Sequence, residues 1–87
     1  MRATSTHVGD QIVRVIPDGD MAEVQFKIGN RIMHRFDLPL AEWPPSHYEQ
    51  MRYLRKLVGG APPYLLVHPR MERRLDAIRK IVEGWRS

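Results

Sequence analysis

Few side chains in this 87-residue chain are typed and spaced for chemistry. It has no cysteine, which excludes disulfides and thiolate-held zinc or iron–sulfur centres. Its four histidines, His7, His34, His47 and His68, are never three or four residues apart, so no helical turn offers a metal-binding pair. His34 falls on an apolar strand face and reads as a core histidine with one hydrogen-bond partner. His47, in a first helical turn, reads as a surface residue, and His68, before Pro69, as a capping or extended one. The serines do no better as nucleophiles. Ser5 lies in a polar N-terminal stretch, Ser46 is committed to a helix cap, Ser87 is the last residue, and no G-x-S-x-G elbow occurs. The phosphate-cradling patterns G-x-G-x-x-G and G-x-x-x-x-G-K-[ST] are absent, and Gly59-Gly60 follows a helix rather than opening one. Asp18-Gly19-Asp20 begins like a calcium loop but lacks the downstream glutamate and the frame that such a loop needs. Pro62-Pro63-Tyr64 and Pro44-Pro45-Ser46-His47-Tyr48 both miss the spacing of a P-P-x-Y ligand and read as helix punctuation. The expectation is a protein that is not an enzyme and carries no metal or cofactor.

What stands above background is charge. The formal net charge is +4, from 14 Lys and Arg against 10 Asp and Glu, and eleven of the bases are Arg. Residues 1–43 hold five bases against six acids, whereas residues 44–87 hold nine against four. Arginine presents a planar fork that matches carboxylate and phosphate and stacks on rings, which suits an interface. The same bias also follows from a GC-rich genome.

These groups must be held by a small scaffold. With 43% apolar residues the chain can build one modest core, and a domain of this size hides only about 60–65% of its unfolded surface. Residues 1–9 are polar and aperiodic and read as a flexible tail, leaving 10–87 as one domain. Ile12-Val13-Arg14-Val15-Ile16 is a β-branched strand, and Asp18-Gly19 suits a hairpin turn. Ala22, Val24, Phe26 and Ile28 alternate with polar residues, as do Ile32, His34, Phe36 and Leu38, which gives two further strands around Gly29-Asn30. A two-residue turn there would put Arg31 and Arg35 on the dry face, because a one-residue slip flips every side chain. An odd loop, Gly29-Asn30-Arg31, instead pairs Phe26 with His34 and Val24 with Phe36. The expected dry face is then Val13, Val15, Ala22, Val24, Phe26, Ile28, Ile32, His34, Phe36 and Leu38. Ser46 and Glu49 form a capping box that opens a helix running to Val58, with Gly59-Gly60 as its stop. Pro69 fits the first position of a second helix with Met71, Leu75, Ile78, Val82 and Trp85 on one face, and Asp76–Lys80 and Arg79–Glu83 as outer pairs. Residues 64–67 allow a short fourth strand. No internal repeat is read. The fold class is α+β: a three-stranded antiparallel meander followed by two helices packed on one sheet face.

Two surfaces follow as candidate partner sites. One is the basic helical surface of Arg52, Arg55, Lys56, Arg70, Arg73 and Arg74; the last three crowd a helix N-terminus, where the dipole prefers acids, and a locally unfavourable choice points to function. The other is the outer sheet face, where Ile12, Ile16, Met21 and Met33 exceed what a solvated face needs. The expected function is a small non-catalytic module that docks on a larger protein or nucleoprotein assembly with acidic patches, as an inhibitor or adaptor. Short phage-encoded proteins of that kind share this profile. The alternative is direct nucleic-acid binding through phosphates, favoured by the pI near 10 but lacking a zinc finger, an RNP-type motif or helix-turn-helix spacing. Homodimerisation through the outer sheet face is the third partner reading. No membrane span or secretory leader is read, so the expected compartment is the cytoplasm.

Overall fold

The computed structural model describes residues 1–60 and 70–86. Four antiparallel strands form one sheet in sequence order, β1 (Thr4–Val8), β2 (Gln11–Asp18), β3 (Met21–Ile28) and β4 (Arg31–Pro39). Helix α1 (His47–Leu57), a 3-10 turn (Val58–Gly60) and helix α2 (Met71–Arg86) follow. The chain is α+β, with the fourth strand at residues 4–8; residues 64–67, and the cap read at His68-Pro69, lie outside the described residues.

Strand β1 corrects the reading of residues 1–9 as a tail. Its sequence, TSTHV, carries little apolar signal, but all five residues pair with β2, from Thr4 opposite Val15 to Val8 opposite Gln11. The turn that closes this hairpin belongs to a repeat that the sequence does contain. Gly9-Asp10, Gly19-Asp20 and Gly29-Asn30 recur every ten residues, each a two-residue loop whose glycine has a positive φ of +65°, +65° and +58°. Glycine in the first loop position accepts that geometry without steric cost, and its twist suits a tight hairpin. The second turn is therefore Gly19-Asp20 rather than Asp18-Gly19. Val15 pairs with Val24 and Val13 with Phe26, a shift of two residues that leaves every side chain on its expected face.

The third hairpin reaches the expected pairing by a different device. Phe26 lies opposite His34 and Val24 opposite Phe36, but the loop has two residues and a β-bulge supplies the odd one. Lys27 faces Ile32 while Phe26 faces His34, leaving Met33 as the extra residue. This moves Ile32 off the dry face, where it is 45% exposed; Ile28, at the turn, is 43% exposed. Both depart from the expected core. Val13, Val15, Ala22, Val24, Phe26 and Leu38 are buried and Arg31 and Arg35 are exposed, as expected, whereas Phe36 and His34, expected in the core, are only half-buried.

Ser46 caps α1, its Oγ accepting from the Glu49 N–H at 3.2 Å. Met51 and Leu54 from α1 and Val58 at its C-cap join Met71, Leu75, Ile78 and Val82 from α2 over the dry sheet face. The link between sheet and helices is pinned at Glu83, whose Oε1 accepts from Trp43 Nε1 at 2.9 Å and from Gln50 Nε2. Glu83 is thus taken by these two donors, and Arg79 pairs with Asp76 at 3.0 Å in place of the expected Arg79–Glu83 pair; Lys80–Asp76 forms at 3.2 Å.

Candidate interaction surfaces

The basic residues of α1 and α2 do not form one surface. On α1, Met51, Leu54 and Val58 are buried, which turns Arg52, Arg55 and Lys56 to solvent. Arg55 is already engaged: its Nε and Nη2 donate to the two carboxylate oxygens of Glu72, each at 2.8 Å, tying α1 to α2. This fork pushes the Glu72 carboxyl below its ordinary range, mainly through the hydrogen bond from Arg55. Arg52 and Lys56, four residues apart, remain exposed. Four residues before Arg52 stands Tyr48, 72% exposed. Sequence reading passed over Tyr48. The signal was available: Tyr48, Arg52 and Lys56 recur at helical spacing opposite the apolar stripe.

The three arginines at the start of α2, Arg70 just before it and Arg73 and Arg74 in its first turn, have three fates. Arg70 binds Asp10 of the first turn at 2.8 Å, joining α2 to the sheet. Arg73 is exposed and has no carboxylate partner among the described residues. Arg74 is fully buried, which corrects its assignment to an accessible surface. It belongs to the dry stripe, because 71, 74, 75 and 78 follow the i, i+3, i+4, i+7 spacing of one helical face. Its guanidinium carbon lies 5.8 Å from the centroid of the Phe26 ring, and Nε, Nη1 and Nη2 have no hydrogen-bond partner among the described residues. Burial lowers its pKa, and the Arg70 charge adds to that while Asp10 opposes it. The guanidinium nonetheless stays charged at neutral pH. The ring contact offsets part of the burial, about 2 kcal/mol for a desolvated pair, against an unpaired charge that costs several kcal/mol. Among the described residues two more buried polar atoms lack a partner, His34 Nε2 and Gln11 Oε1, and burial lowers the His34 pKa from 6.5.

The outer sheet face holds the second candidate set. Ile12, Ile16, Met21 and Met33 are each half-buried and stand outside the core cluster. They are not contiguous. Rows of paired residues place Arg14, Gln25 and Arg35 between Ile12 and Ile16, and Glu23 beside Ile16. Gln25 donates to Glu23 at 2.6 Å, and Arg35 lies 3.8 Å from the same carboxylate, so the centre of this face is a polar ladder.

A third surface was not read from sequence. It is a groove of about 740 Å³ between β1 and α2, with Ala77, Ile81 and Trp85 as its apolar side and Arg73, Asp76 and Lys80 along its rim. It exists only because residues 4–8 form the strand at the sheet edge. Among the described residues no three His, Asp or Glu side chains gather as metal ligands, and no helix is long and apolar enough to cross a membrane. Compared with protein-family models, curated proteins and solved structures, the chain matches none.

Proposed function

We propose that the protein is a small non-catalytic module that docks on a larger protein or nucleoprotein assembly, as an inhibitor or adaptor, through the solvent side of α1. One observation carries this reading: Tyr48, Arg52 and Lys56 stand on a single exposed stripe. Tyrosine and arginine side by side are the composition of interface hot spots, since tyrosine offers a large contact at low ordering cost and arginine a planar fork of donors. The two cations complement an acidic patch and speed encounter with it. Burial of Met51, Leu54 and Val58 in the core seats α1, and the Arg55–Glu72 fork ties it to α2, so the stripe is presented on a fixed frame.

Direct phosphate binding by nucleic acid is the second reading. The observation that favours it is the exposed Arg73 beside a chain of net charge +4. Capture of partners from the native host, with and without nuclease, separates the two. A protein retained after nuclease by the wild type but lost by the double variant Arg52→Glu, Lys56→Glu supports docking through α1. Capture abolished by nuclease, with duplex affinity that falls steeply with salt, supports nucleic-acid binding instead. A protein held equally by wild type and variant moves the surface away from α1.

A further inference from the structure

The two edges of the sheet are built differently. Strand β4 carries Arg31, Arg35 and Asp37, ends at Pro39 and is kinked by the bulge at Met33. Charge, proline and bulges are the devices that keep an edge from pairing with another strand. Strand β1, Thr4-Ser5-Thr6-His7-Val8, has no Asp, Glu, Lys, Arg or proline and a regular register. In a two-residue hairpin the residues flanking the turn exchange both backbone hydrogen bonds, and the pattern alternates along the strand. Val8 and Gln11 flank the turn, so Val8, Thr6 and Thr4 bond to β2. The N–H and C=O groups of Ser5 and His7 point out of the sheet.

We propose that this edge and the groove beside it take an extended acidic segment of a partner protein, added to the sheet as a fifth strand. The proposal deepens the docking reading and rests on it for a protein partner with acidic character. The dimensions fit: α2 from Arg73 to Trp85 runs about 18 Å, the length of about five strand residues. The direction is also fixed. Arg70 binds Asp10, and its guanidinium lies against Gly9, so the Arg73 end of α2 lies toward Val8 and the Trp85 end toward Thr4. Alternate side chains of an added strand face α2. Acidic ones meet Arg73 and Lys80; an apolar one meets Ile81 and Trp85. Among the described residues the rim holds one carboxylate, Asp76, already shared between Arg79 and Lys80, while Arg73 has none. A second copy of this chain fits worse. Its β1 would offer the groove Thr4, Thr6 and Val8, with no acid, and would bring a second Arg73 and Lys80.

The probes are two short peptides, one alternating Glu and Val, the other Lys and Val, titrated against the whole chain by tryptophan fluorescence. Trp85 lines the groove, and Trp85→Phe assigns the signal. The Glu–Val peptide is expected to saturate, with the Lys–Val peptide weaker by about tenfold or more, a margin of about 1.4 kcal/mol. Arg73→Glu should invert that order. His7→Pro removes an outward N–H that β2 does not use, and should weaken the Glu–Val peptide by about tenfold with the circular dichroism unchanged. Equal affinity for both peptides, no binding, or binding unaffected by either variant overturns the proposal. So does a wild-type dimer in sedimentation that His7→Pro converts to monomer, which gives the edge to a second copy. Partner capture lost by the α1 double variant but kept by both groove variants sinks the groove alone; the reverse pattern sinks the α1 stripe alone.

Discussion

Helices α1 and α2 are both rich in arginine, yet they use it in opposite ways. On α1 the bases lie wholly outside the apolar stripe of Met51, Leu54 and Val58, so Arg52 and Lys56 reach solvent and Arg55 reaches across to Glu72. On α2 the stripe itself includes Arg74, which is buried against Phe26 with no acceptor among the described residues. A cluster of three arginines in five residues is therefore no single patch. Position relative to the helical stripe decides whether each contributes to a surface, to a strut or to the buried core.

The sharpest way to break this comparison is Arg74→Met. If the buried guanidinium is uncompensated, a flexible apolar side chain of similar length removes a cost, and stability in urea should rise by about 1–4 kcal/mol. An unchanged or lowered midpoint would mean that the guanidinium has a partner that offsets its burial. The neighbouring Arg73→Met should stay within about 0.5 kcal/mol, as exposed positions do. Next in size is Ser46→Ala, which removes the hydroxyl that accepts from Glu49 and should cost about 1 kcal/mol. A midpoint unmoved within error would mean that the α1 frame does not depend on its cap.

The pH profile probes the layer under Arg74. Burial holds the His34 pKa below 6.5 in the folded chain, so the unfolded chain takes up the proton first. Stability on this account is complete above pH 6.5 and falls as pH drops through the folded value. Between about pH 7 and 5, where carboxylates are still ionised, His34→Gln should flatten the slope; an identical slope would assign the acid sensitivity to another group. The smallest effect is expected at the exposed strut. A double-mutant cycle on Arg55 and Glu72 should give a coupling below about 1 kcal/mol, weakened by salt. A larger coupling would make that fork a main support of the helix pair.

Much of this was legible in the residues. Alternation at 22–28, the capping serine at 46 and the spacing of Met71, Leu75, Ile78 and Val82 each encode an element, because one periodicity fits and the others would bury charge or expose Phe26. The faces of β2 and β3 are the same for a turn at Asp18-Gly19 or at Gly19-Asp20, since the two registers differ by two residues and parity is preserved. The ten-residue recurrence of Gly9, Gly19 and Gly29 was also in the sequence, and it marks the first hairpin.

Other features belong to tertiary structure. TSTHV becomes a strand because β2 offers a free ladder of backbone donors and acceptors beside it, a force with no side-chain signature. The bulge at Met33 and a longer loop give the same pairing, so local sequence could not separate them. Arg74 is drawn inside by the leucine and isoleucine that flank it on one helical face, and its cost is set by which acceptors surround it. The groove at β1 depends on a helix and a strand more than sixty residues apart in the chain meeting at one edge. What the sequence determined is each element's period and its turns. What the tertiary structure decided is which polar groups are left facing a partner, because that depends on neighbours that no local pattern specifies.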